Sequence, residues 1–205
     1  VSTITTTAPL IYVASLSDYN AGRLHGVHID ATLDIDDIWS AINDMLAASP
    51  EFRSFPAGGP AEEFAIHDHE GFLGLSIGEY DSIERVHAIA VAITEHGAKA
   101  AAFIAMDSDN VDKLDDIDDY CAGEYDSPDA YRAELFEELT LAQFTSELAQ
   151  ADKRSFEPRA LVRFFEESIA PYIDIEAASA HGYDDDVEFV KNAESNTVFV
   201  FRYEI

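Results

Sequence analysis

The sequence predicts an α+β fold made of three small modules, and three observations predict it. Apolar and polar residues alternate in "LIYVASL" (10–16) and "LHGVHIDA" (24–31). From Glu79 the apolar period becomes that of helices. The chain then closes on two strand-like segments, "DVEFVK" and "TVFVFRYEI", about the polar turn "NAESN". The expected modules are residues 1–78, a sheet with one helix; 79–126, an acidic helical segment; and 127–205, helices with a C-terminal hairpin.

The first two strands are expected to pair antiparallel through the turn-rich "SDYNAGR". In "DIDDIWSAINDMLAASP", Ile35, Ile38, Trp39, Ile42 and Met45 fall on one helical stripe, with Asp34 placed to cap the start and Pro50 to end it. After a Pro/Gly loop (55–60), "EEFAIHDHEGF" reads as a third strand. "SIERVHAIAVAITEHG" is helical with Gly97 at its C-terminal cap, and "AKAAAFIAM" is a second apolar helix. Val111, Leu114, Ile117 and Cys121 form the narrow apolar stripe expected of a third helix, whose other faces carry Asp112, Asp115, Asp116, Asp118 and Asp119. Ser127-Pro128 opens a further helix, and "EPRALVRFFEESIA" repeats the pattern of a proline near a helix start. The last strand, with Val198, Phe199, Val200, Phe201 and Tyr203, is apolar on both faces, which predicts that a second copy of the chain covers one of them in a homodimer. There is no convincing internal repeat and no low-complexity linker.

Charge is the outlier. The 205 residues hold 41 Asp plus Glu against 12 Lys plus Arg, a net of −29. The run "DNVDKLDDIDDYCAGEYDSPD" (109–129) sets nine carboxylates against one lysine. Like charges three and four residues apart on a helix each cost a few tenths of a kcal/mol, so ordinary folding does not ask for such a ratio. The three modules carry 11 acids and 2 bases, 13 and 3, and 17 and 7, nets of −9, −10 and −10. A charge that even suits a body copying the linear charge of a duplex better than it suits one acidic patch. At one negative charge per ~1.7 Å of B-DNA axis, such a body matches roughly 50 Å, or about 15 base pairs. This balance predicts repulsion from nucleic acid and anionic membranes and attraction to basic grooves. Salt adaptation is the competing reading, since the chain is also Asp-rich and holds only four lysines against eight arginines.

No apolar stretch is long enough for a membrane span, and "VSTITTTAPLIYVASL" has no basic leader, so a cytoplasmic location is expected. The single cysteine, Cys121, excludes an internal disulfide and multi-cysteine metal sites, and its stripe position reads as core. His67, Asp68, His69 and Glu70, with His25 and His28, make a metal cluster conceivable, but no helical His-Glu-x-x-His spacing supports one. A calcium loop begun at Asp107 fails, with Val111 fifth and Asp112 where glycine is needed. No glycine-rich phosphate loop follows a strand, and any acid–base pair chosen among 41 carboxylates is noise. The expectation is therefore no enzyme, no metal and no cofactor. Lys153, Arg154, Arg159 and Arg163 form a basic cluster that reads as intramolecular counter-charge, with an intersubunit contact as the alternative.

"IYVASLSDYNAGRLHGVHIDA" (11–31), "EEFAIHDHEGF" (62–72), "GEYDS" at 78–82 and again at 123–127, and "YIDIEAASAHGYDDDVEFV" (172–190) followed by "TVFVFRYEI" resemble the ArdA antirestriction proteins. The likeness runs over nearly the whole chain from Leu10, and the run Tyr19–Leu24 is its most specific part. It implies an elongated three-module protein, dimeric through its C-terminal module, whose surface carboxylates imitate the phosphates of bent B-DNA. Such proteins are carried by mobile genetic elements and occupy the DNA-binding groove of type I restriction–modification enzymes, in both the methyltransferase core and the restriction complex. On that implication the partner-binding carboxylates are Asp109, Asp112, Asp115, Asp116, Asp118, Asp119, Glu124, Asp126, Asp129, Glu134, Glu137 and Glu138. Two features depart from the family pattern: His28 stands where an aromatic residue is expected, and residues 140–165 exceed the usual connection. The remaining alternatives are an acidic binder of another basic nucleic-acid-binding protein and a salt-adapted protein of other activity.

Overall fold

The structure is a computed structural model and describes residues 8–54, 59, 61–135 and 187–202. The fold is α+β, with helices and two three-stranded antiparallel sheets. The chain divides into two compact units, Val1–Ile117 with Asn192–Ser195, and Asp118–Lys191 with Asn196–Ile205.

In the first unit, β1 (Leu10–Ser15) is the central strand, flanked by β2 (Gly26–Asp30) and β3 (Phe64–Glu70) in the order β2-β1-β3. Ile11 pairs with Ile29 and with His69. The alternation of "LIYVASL" turns Ile11 and Val13 inward, where they are fully buried. The helix α2 (Ile35–Ala47) lays Ile38, Ile42, Met45 and Leu46 on this core. Asp34 holds the cap position but makes no side-chain capping bond, and Trp39 is half-buried, donating from Nε1 to Glu84 Oε1 at 3.1 Å.

Pro50 does more than end a helix: it opens α3 (Pro50–Ser54), because the Ser49 hydroxyl accepts from Phe52 N at 3.2 Å. Another five-residue helix, α1 (Leu16–Asn20), replaces the expected turn after β1, with Ser15 accepting from Asp18 N. Asp18 joins the two short helices. Its side chain is fully buried and accepts from Ser49 Oγ at 2.6 Å and from Glu51 N at 2.8 Å.

The helix α4 (Ile83–His96) starts at a Ser82 cap and turns into α5 (Ala98–Met106) at Gly97, whose φ of 58° and ψ of −137° disfavour a residue with a Cβ. Ile83, Val86, Ile89, Ala90, Ile93 and Ile104 join the same core cluster as the sheet. Residues 79–117 thus share one hydrophobic interior with the N-terminal sheet.

Where the sequence predicts an α-helix through Cys121, the structure has a 3-10 helix, Ser108–Asp116, one α-helical turn, α6 (Ile117–Tyr120), and then a strand, β4 (Cys121–Tyr125). The reason is spacing. Val111, Leu114 and Ile117 recur every third residue, which a helix of 3.0 residues per turn keeps in one line. Asn110 locks the start from inside, its Nδ2 donating to Phe103 O at 2.9 Å. Cys121 is therefore a half-buried strand residue paired with Phe201 and lies on no helical stripe.

In the second unit, β6 (Val198–Arg202) is central, between β4 and β5 (Val187–Lys191). Residues 128–135 are helical after the Ser127 cap, with Ala130 N donating to Ser127 Oγ. Tyr131 and Leu135 pack on Val187, Val200 and Phe189. Phe199, Val200 and Phe201 are buried within the single chain and Val198 is half-buried. Tyr203, the helix expected at 157–170 and the basic cluster Lys153 to Arg163 lie outside the described residues, as does the long connection 140–165.

Candidate functional site

The 3-10 helix packs against α4 and α5, turning Val111 and Leu114 toward the core. Side chains three apart eclipse in such a helix, with a rise of ~2.0 Å per residue. Asp109, Asp112 and Asp115 therefore form one exposed row with steps of roughly 6 Å, and Asp116 is exposed beside it. Asp107 caps the helix, accepting from Asp109 N at 2.9 Å, and Arg85 donates from Nη2 to Ser108 O at 2.9 Å. Asp112 and Asp115 also rim a groove of ≈ 380 Å³ floored by Val91, Ala92, Val111 and Leu114. A carboxylate rim on an apolar floor suits a cationic side chain with an aliphatic stem.

In the second unit Asp118, Asp119, Glu124, Asp126, Asp129 and Glu134 are exposed. They are not equivalent. Asp129 is paired with Arg132 at 2.7 Å, Glu124 accepts from the Thr197 hydroxyl, and Glu134 lies 3.5 Å from the Tyr125 hydroxyl. Glu137 and Glu138 lie outside the described residues. The described carboxylates of the expected set all reach solvent, where an anionic surface can act.

The histidines serve other ends. His25 Nε2 lies 2.7 Å from Met45 O, and His28 packs its ring on Tyr12 at 4.7 Å, taking the place of the aromatic residue expected there. Among the described residues no three His, Cys, Asp or Glu side chains converge on a metal position. Among them, too, no helix is long and apolar enough to cross a membrane.

The family model for the ArdA antirestriction proteins matches residues 11–194. The chain belongs to the ArdA family. No match is found among curated proteins. Membership makes this an antirestriction protein by family, and the matched span covers both the acidic 3-10 helix and the segment Tyr19–Leu24. That segment has a structural role in part. Its Arg23 is ion-paired with Glu51 at the start of α3, next to the buried Asp18.

Sequence reasoning missed two things here. Asp18 is one acid among 41 in the sequence, yet it is the one described acid inside the core. Tyr19 comes together with His67, Asp68, His69 and Glu79 around an open cavity. Only the Tyr19–Leu24 run stood out in the sequence, and nothing local joins it to His67, 48 residues away.

Proposed function

We propose that this ArdA-family protein is a non-enzymatic DNA mimic that occupies the DNA-binding groove of type I restriction–modification enzymes, in both the methyltransferase core and the restriction complex. Bound there, it blocks their access to DNA. The observation that carries the reading is the exposed acidic series headed by the Asp109, Asp112, Asp115 row. Its ~6 Å steps offer successive carboxylates to a groove built to track phosphates. The even division of the −29 charge along the sequence supports the same reading. Mutual repulsion of these acids is relieved when basic side chains approach, so repulsion in the free protein adds to the binding free energy.

On this reading the protein acts as a homodimer in the cytoplasm and protects entering mobile DNA from restriction. It needs no cofactor and binds neither nucleic acid nor membrane. The test is cleavage of unmodified DNA by a type I enzyme with and without the protein. Inhibition that weakens as salt rises, and that fails on enzyme already loaded with DNA, is expected. A complex insensitive to salt, or capture of nucleoid proteins in preference to restriction subunits, refutes it.

A further inference from the structure

In the first unit, two stretches that the acidic surface leaves unused meet at one open cavity of ≈ 480 Å³. Its walls are Tyr19, His67, Asp68, His69 and Glu79, and the buried Ile66 and Ile77 lie at its base. We propose that this cavity seats one arginine side chain of the protein partner and so fixes the register of an otherwise distributed charge contact. The proposal rests on the reading that the partner is a basic protein.

Four features point to a guanidinium. The wall offers two carboxylates, Asp68 and Glu79, and no lysine or arginine lines the cavity. Tyr19 is 53% exposed, and its contact with His67 is T-shaped, 4.7 Å between centroids at 75°, which leaves ring surface open to a cation. The isoleucines can take the aliphatic stem. A planar fork can stack on the tyrosine while its in-plane N–H groups meet carboxylates, a stacked and bidentate geometry that a compact lysine ammonium does not offer.

The backbone holds these groups in place. Tyr12 pairs with Asp68 and Val13 with Ile66, so His67 is the extra residue of a bulge in β3. Bulges re-aim side chains, and this one sets His67 against Tyr19. Glu79 is tied to β3 by its carbonyl, which accepts from Ile66 N at 3.0 Å, and its Oε1 lies 3.8 Å from His67 Nε2. The local field is negative: the phenol of Tyr80 is held above its usual pKa first by the Glu79 charge, then by burial, a Glu79 hydrogen bond and the Glu63 charge.

The test uses the full chain and three small probes, acetyl-arginine methylamide, its lysine analogue and its neutral citrulline analogue, followed by NMR. Saturable shifts at Tyr19, His67, Asp68, His69 and Glu79 are expected, strongest for arginine and absent for citrulline. Tyr19→Leu and the nearly isosteric Glu79→Gln should each weaken binding about two- to fivefold, in keeping with exposed cation–π and ion-pair contacts. Each should raise the protein needed for half-inhibition of a type I enzyme by a similar factor. Shifts spread evenly over the acidic surface overturn the proposal, as do variants that bind the probe and inhibit like the native protein. If the native protein does not inhibit restriction at all, the mimicry reading fails, and the arginine probe alone then decides the cavity.

Discussion

Neutralising the acidic helix and the turn after it should weaken inhibition in proportion to the charge removed. Asp112, Asp115, Asp116, Asp118 and Asp119 are all exposed. An exposed ion pair contributes ~0.2–1 kcal/mol, so Asp115→Asn or Asp118→Asn alone should raise the half-inhibitory concentration by no more than about fivefold. The five changes together should remove about 1–5 kcal/mol, a loss ranging from about fivefold to several thousandfold. The salt dependence should flatten as well, because fewer cation–anion contacts remain to be screened. Stability gives the control. Relieving like-charge pairs at three- and four-residue spacing returns a few tenths of a kcal/mol each, so the fivefold variant should melt no lower than the native protein. The assay is a graded Asp→Asn series scored by restriction of unmodified DNA at two salt concentrations. Loss of all inhibition from one such change in a folded protein, or full inhibition with an unchanged salt slope after all five, refutes distributed mimicry.

Three further outcomes are expected. Burial alone would push the Asp18 carboxyl up, but hydrogen bonds from Ser49, Ser15 and Glu51 N–H and the His25 charge outweigh it, so the group titrates below the usual carboxylate range. Its stabilisation is therefore complete above the unfolded value of about 3.9 and is lost as pH falls through the lower folded value. Asp18→Asn should cost about 1.5–3 kcal/mol at neutral pH by denaturant unfolding. The gap between native and variant should close in acid, and a gap independent of pH contradicts the assignment. At Gly26 an added Cβ would lie 2.5 Å from Val13 O and 2.6 Å from Tyr12 Cζ. Gly26→Ala should thus destabilise by about 1–3 kcal/mol, and an unchanged melting temperature would show that β1 and β2 can separate freely. Sedimentation at micromolar concentration should show a dimer, and a monomer there removes the homodimer from the proposal.

Elements set by local periodicity were legible in the sequence: β1, β2, β3, α2, α4, α5 and the closing hairpin follow their apolar patterns. Elements set by distant partners were not. The helices α1 and α3 depend on the Asp18–Ser49 bond, 31 residues apart in sequence, which no local window contains. In "CAGEY" a glycine and a glutamate hide a strand that exists because β6 pairs with it. The acidic stretch was legible as a helix of the wrong pitch, because three apolar residues at spacing three fit the narrow seam of either form. Exposure of the acids followed from their chemistry, since a carboxylate stays in water unless several donors replace it, as they do only at Asp18 among the described acids. The Tyr19 cavity was illegible because a bulge, invisible in alternation, decides where His67 points.

A 3-10 helix also imposes a reading frame on its own sequence. Each residue in Ser108–Asp116 advances the chain by a third of a turn, so deleting one residue before Val111 would swing Asp112 and Asp115 onto the core line, inserting one would put Lys113 and Asp116 there, and either change would turn Val111 and Leu114 off it. A change of three residues would restore both rows and lengthen or shorten the acidic row by one carboxylate. A length change in this segment therefore keeps its acidic and apolar faces apart only when it comes in steps of three.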